Sequence, residues 1–169
     1  DEGTVAELVT AKTAKIGEKL ALRRAELVEK EDGDNFGAYI HMGGKIASLV
    51  VVKGANEEVA KDVAMQAAAM RPGYLKPEDV PAEVLEKEKE VLKVQAIEEG
   101  KPADIAEKMV AGRINKYYEE NCLVKQAFVK DSSMNIERFV KNASGEVKSM
   151  IRYEVGEGME NRNENFAEE

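Results

Sequence analysis

Tryptophan is absent, and only one cysteine, one histidine and 5% aromatic residues occur in 169. A lone Cys122 excludes an intrachain disulfide, and Cys122 with His41 cannot make up the ligand set of a structural zinc site. Basic residues are in deficit, 25 Lys and Arg against 33 Asp and Glu, for a net charge of −8. A general nucleic-acid binder needs the opposite balance, as does a polybasic membrane-surface protein. No run approaches the roughly 18 apolar residues of a membrane span. The start, Asp1-Glu2-Gly3-Thr4, has no basic n-region and no Met. No signal peptide is expected there, a start without Met fits a processed chain or a fragment, and a reducing cytoplasm is the expected location. Neither G-x-x-x-x-G-K-[ST], G-x-G-x-x-G nor G-x-S-x-G occurs, so no phosphate loop and no nucleophile elbow is expected.

What is present is aliphatic. Hydrophobic residues make up 43% of the chain, enough for a globular core of Ala, Val, Ile, Leu and Met. The length fits about one domain with an appendage. Thr4 and Glu7 form a capping-box pattern ahead of Val5, Leu8 and Val9, predicting a helix over 4–13. Leu20 to Val28 fits helix or strand period alike. The polar run 29–35 reads as a loop and an internal boundary. Phe36 to Met42 and Lys45 to Lys53 predict two strands joined by a two-residue type I′ turn at Gly43-Gly44. The second arm is apolar at successive positions, so both of its faces must be covered.

Asn56 and the Glu57-Glu58 pair open a helix to about Arg71, with Val59, Val63, Ala67 and Met70 inward. Pro81 starts a helix dense in Glu and Lys, and Gly100-Lys101-Pro102 breaks it before a further helix over 103–120. Narrow apolar stripes and a tight link predict an antiparallel helical hairpin over 81–120. Residues 123–129 read as extended or irregular, 135–143 as a short helix and 148–155 as a strand ended by Gly156-Glu157-Gly158. Met159 to Glu169 is a polar tail with Phe166 as its anchor. The element order predicts an α+β fold in which a small three-stranded antiparallel sheet packs on helices.

The residues offer little for catalysis. His41 has no nucleophile or orienting group beside it in the pattern, and the acidic pairs fall on solvated helix faces. Cys122 and the methionines Met42, Met65 and Met70 read as core. No catalytic residue, metal ligand or cofactor is assigned.

Several stretches carry a more specific message. Ala14 to Lys19 with Leu22-Arg23-Arg24, Gly37 to Ile46, Gly100 to Arg113, Gln126 to Lys130, Ile151 to Gly158 and Glu164 to Glu169 together resemble the bacterial elongation factor Ts family, in family order. The resemblance implies a guanine nucleotide exchange factor that binds elongation factor Tu, in its GDP and nucleotide-free forms, and promotes GDP release. It implies no cofactor, no nucleic acid and no membrane, with a self-associating homodimer module as the alternative reading.

It also implies a core of two similar halves. Residues 1–35 would be the end of the first half, with its last strand at 20–28. Residues 36–155 would be the second half with the hairpin inserted, and 156–169 a tail module. Ile16 and Gly17 match positions that touch the partner's GTPase domain. His41, with the Gly43-Gly44 turn, and Val129 match the half that docks on the partner's third domain. The tail from Val155 to Glu169, with Phe166 in it, matches a module that packs on the GTPase domain. The family's Thr-Asp-Phe-Val motif does not occur in this chain, nor does any Asp-Phe dipeptide. With the family's N-terminal ubiquitin-associated-like helical domain also not found in this sequence, the resemblance implies a C-terminal fragment with reduced exchange activity. Gln66 stands where the family often has His.

Overall fold

The computed structural model describes residues 3–159. Helix α1 (Val5–Ile16) begins at Thr4, whose side chain accepts from the Glu7 amide while the Glu7 carboxylate accepts from the Thr4 amide. Gly17 closes it in the left-handed conformation, φ 79°. None of its residues is buried. Strands β1 (Asp34–His41) and β2 (Ile46–Gly54) pair antiparallel with His41 opposite Ile46. Helix α2 (Glu57–Met70) follows, capped by Asn56 through the Val59 amide. Helices α3 (Ala82–Glu98) and α4 (Ala103–Asn121) form the helical hairpin. A short ribbon, β3 (Ala127–Phe128) and β4 (Asp131–Asn135), leads into α5 (Ile136–Asn142) and β5 (Gly145–Glu154). The main sheet has the order β1-β2-β5, antiparallel throughout.

The core lies between this sheet and α2, closed by α5 and the β3 ribbon. Val50 and Val52 of β2, Val59, Ala60, Val63, Ala64 and Ala67 of α2, and Leu123, Phe128, Ile136 and Val140 form one buried cluster. Alanine on α2 lets the helix sit close on the strands. The approach is tightest at Gly37, where an added Cβ would lie 2.0 Å from the Ala60 carbonyl oxygen. Arg152 donates twice, at 3.3 Å each, to the Ala68 carbonyl near the C-terminus of α2. A cation at that end also complements the helix dipole. On the opposite face of the sheet, Phe36, Ile40, Ala47 and Leu49 stay partly or largely exposed.

The α+β class, the three-stranded sheet and the inserted hairpin are as expected, and the expectations for 20–28, the β1–β2 turn, Met42 and Met70 are corrected. Residues 20–28 form no strand: they have no ladder partner and are tied to the body by side chains. The β1–β2 connection is not a two-residue turn. It spans Met42 to Lys45, with a 3-10 turn closed by the Lys45 amide on the Met42 carbonyl, 3.4 Å. Met42 is 62% exposed because it lies in that turn, and Met70 is 48% exposed because it is the last residue of α2, so neither is core. Finally, β4 is a strand that the polar sequence Asp131-Ser132-Ser133-Met134-Asn135 does not announce. In the hairpin, Ala96, Ala106 and Ile114 are buried, whereas Val91, Ile97 and Ile105 face outward.

Candidate docking surface

His41 is the last residue of β1 and is half-buried on the side of the sheet that faces α2. Its ring stands 6.0 Å from that of Tyr39, two residues earlier on the same face. The turn beyond it holds Met42, Gly43 and Gly44 at φ 51°, 67° and 94°. Three consecutive left-handed residues are strained for side chains, which accounts for the glycine pair. No atom lies within 4 Å of a Cβ placed on either glycine, so the conformation, not crowding, requires them.

Val129 follows β3 and is 48% exposed. Its amide donates to Gln66 Oε1 at 3.0 Å. Gln66 lies fully buried on α2, and its Nε2 donates to the Ala127 carbonyl at 3.0 Å and to Gln126 Oε1 at 3.3 Å. Gln126 in turn donates to the Glu120 carbonyl at 3.0 Å. A buried amide side chain costs stability unless its groups are paired. Here the pairing fixes the segment that presents Val129. Next along, the Lys130 ammonium meets Asp62 of α2 at 2.6 Å. The hydrogen bond to Asp62 holds its pKa above the ordinary lysine value, and Tyr39 lies within electrostatic reach. Tyr39 itself packs against the core cluster between the sheet and α2.

Ile16 and Gly17 sit elsewhere, at the free end of α1, with Ile16 56% exposed. Val155 begins the turn after β5, 77% exposed, with its amide donating to the Lys45 carbonyl at 2.8 Å. That bond ties Val155 to the Met42–Lys45 turn. Phe166 lies outside the described residues. The structure thus brings His41, Gly43, Gly44 and Val155 to one end of the sheet, whereas Val129 sits on the segment held by Gln66 and Asp62 of α2, and Ile16 and Gly17 sit at the end of α1.

One supporting ion pair is poorly visible in sequence. Asp34 is buried at the start of β1 and bonds Lys148 Nζ at 2.7 Å and the Glu31 amide at 3.1 Å. Lys148 holds the Asp34 carboxyl below the usual aspartate range. Cys122 is wholly buried, and burial pushes its thiol up to about 11. It is an inert packing residue, as read from the sequence. Among the described residues no cluster of His, Cys, Asp and Glu could hold a metal ion, and no helix is long and apolar enough to cross a membrane.

A family model described as "Elongation factor TS" matches residues 1–157. The chain is 48% identical over all 169 residues to "Elongation factor Ts" of Limosilactobacillus reuteri (strain DSM 20016). The same identity holds for the protein of that name from Limosilactobacillus reuteri subsp. reuteri (strain JCM 1112). The chain spans 58% of the length of each of these relatives.

Proposed function

Because the chain belongs to the elongation factor Ts family, we propose that it binds elongation factor Tu and promotes release of its GDP. The observation that carries the reading is the surface around His41, the Met42–Lys45 turn and Val129. Exposed apolar and polar groups there stand on a rigid support: the sheet, α2 and the Gln66–Gln126 pair. Such preorganisation lowers the ordering cost of association. Val155 adds a contact beside the turn, and Ile16 and Gly17 add contacts away from this surface.

Exchange follows from linkage. A factor that binds nucleotide-free partner more tightly than GDP-loaded partner weakens GDP binding by the same factor. The size of the effect is set only by contacts that differ between the two states. The chain has no Asp-Phe dipeptide to place near the partner's magnesium site. A chain without that pair, tested alone, is expected to bind but to accelerate GDP release less than a family member that carries it.

Titration with purified elongation factor Tu tests binding, and no complex at roughly 50 μM would refute it. Stopped-flow release of a fluorescent GDP analogue tests exchange. Equal maximal rates for this chain and a full-length factor would show that the missing pair is dispensable.

One observation favours a second reading. The outer face of the sheet leaves Ile40 71% exposed beside Phe36 and Leu49, and an apolar sheet face invites a second copy. Sedimentation showing a concentration-dependent homodimer that ignores elongation factor Tu would favour this self-associating module.

A further inference from the structure

Strand β3 has one edge against β4. On that side the Ile136 amide donates to the Gln126 carbonyl at 3.1 Å. Backbone groups of an extended chain alternate between its two edges, so the Ala127 carbonyl and the Val129 amide point the other way. Among the described residues no strand lies there to receive them. Gln66 of α2 receives them instead. Its Nε2 donates to the Ala127 carbonyl at 3.0 Å, and its Oε1 accepts from the Val129 amide at 3.0 Å. One carboxamide thus makes the pair of bonds that a neighbouring strand would make.

That task sets the residue type. The Ala127 carbonyl needs a donor and the Val129 amide needs an acceptor beside it. A carboxylate supplies only acceptors and an ammonium only donors, whereas a carboxamide carries both. Gln66 is wholly buried, so neither bond has solvent to replace it. Its second Nε2 proton goes to Gln126 Oε1 at 3.3 Å. Gln126 Nε2 in turn donates to the Glu120 carbonyl at 3.0 Å and the Met70 carbonyl at 3.4 Å. Those carbonyls belong to the last turns of α4 and α2, where a helix leaves acceptors without partners. Two helix ends therefore fix the Gln66 carboxamide from behind while it holds β3 in front.

We propose that Gln66 is a positioning residue for docking: its carboxamide takes the place of a neighbouring strand along β3 and holds the Val129 backbone in the conformation presented to the partner. The inference rests on the docking role proposed above for Val129. Without the bridge, association has to order the Val129 backbone as well. Ordering one freed residue corresponds to about five- to thirtyfold in affinity. The Lys130–Asp62 contact at 2.6 Å still holds the next residue, which keeps the loss near the lower end, about five- to tenfold.

The test pairs a measurement on the chain alone with one on the complex. Gln66→Met keeps an unbranched side chain of similar length but makes neither bond. Ser48→Ala is the control, because the Ser48 hydroxyl donates to the Ala64 carbonyl, a buried bond between β2 and α2 that does not touch β3. Amide hydrogen exchange followed by NMR compares Val129 with Val50 of the central strand, which reports global unfolding. In Gln66→Met, Val129 should lose about three- to tenfold more protection than Val50. Affinity for elongation factor Tu loaded with GDP should fall about five- to tenfold. Ser48→Ala should lower both protections alike and leave affinity unchanged. Gln66→His, whose neutral ring keeps one donor and one acceptor at about pH 8, serves if the Met variant does not fold. In it, Val129 protection and affinity must change together or not at all. Equal losses at Val129 and Val50 in Gln66→Met overturn the bridge. A freed Val129 amide with unchanged affinity, in either variant, overturns the positioning role, as does an equal loss of affinity in Ser48→Ala. Absence of binding by the wild-type chain overturns the docking reading and the positioning role with it, whereas exchange at Val129 decides the bridge without the partner.

Discussion

Gly37→Ala tests the packing that holds the docking surface in place. The new Cβ would sit 2.0 Å from the Ala60 oxygen, 2.2 Å from the Ala60 carbon and 2.8 Å from the Lys61 nitrogen. All three are backbone atoms of α2, so no side-chain rotation relieves the overlap. An ordinary C···O contact is roughly 3.3 Å, so α2 must retreat by about 1 Å. A gap of that size forfeits about a quarter to a half of each dispersion contact it opens. Val59, Ala60, Val63, Ala64 and Ala67 all pack from α2 into the core. Overpacking costs typically 1–3 kcal/mol, and with backbone on the far side the upper end applies, about 3 kcal/mol. Replacing glycine also restricts the unfolded chain, which returns only about 0.4–1 kcal/mol. The net loss of about 2–3 kcal/mol lowers Tm by roughly 4–12 °C for a chain of this size. The control is Gly112→Ala in α4, where nothing lies within 4 Å of the new Cβ. An exposed helix interior gains about 0.5–1 kcal/mol from that change. Thermal unfolding followed by circular dichroism checks both. A Gly37→Ala protein melting within about 2 °C of wild type would refute the close-approach argument.

Other expected outcomes concern named groups. Gln66→Leu strands the Val129 amide and Gln126, so urea unfolding should show a loss of about 2–3 kcal/mol, and near-neutrality would deny the buried amide pair a structural role. His41→Ala should weaken elongation factor Tu binding by about 1–2 kcal/mol with Tm little changed, whereas an equal loss of stability would make His41 a core residue. Asp34 has its pKa depressed chiefly by the Lys148 hydrogen bond, so its contribution is present above the unfolded value and is lost as pH falls through the lower folded one. Wild type should therefore be more stable than Asp34→Asn at pH 7, with the difference closing below roughly pH 4; a pH-independent difference would contradict the ion-pair account.

Local signals were legible where a few neighbouring residues decide the geometry. Thr4 with Glu7 announced α1, and Asn56 with Glu57-Glu58 announced α2. Pro81 and Pro102 sit at the N-caps of the hairpin helices, where the breaks were read. The solid apolar run of β2 matches burial on both faces only over Val50, Val51 and Val52, all at most 3% exposed; on the outer face Ala47 is exposed and Leu49 half-buried. The failures occur where distant contacts decide. Leu20 to Val28 has strand-like composition, but a strand exists only with a hydrogen-bonding neighbour, and this stretch meets β5 through Arg24 and Glu26 instead. A glycine pair predicts a tight turn, yet Met42 also takes positive φ and lengthens the connection. Periodicity could not tell that Met70 ends α2 in solvent.

The residues proposed to dock carry no pattern, because an exposed Val129 or Ile16 resembles any surface residue. The resemblance alone pointed to them. What the structure adds is a physical reason for the residues beneath them. Gln66 interrupts a helix face made of Val59, Val63 and Ala67, and an unpaired amide there would be costly. It is retained with every polar group engaged, and one of its partners is the Val129 amide. Gly37 lets α2 approach β1, the strand that ends in His41. Surface function is thus written most clearly in the support layer, where each departure from plain core chemistry fixes the position of an exposed neighbour.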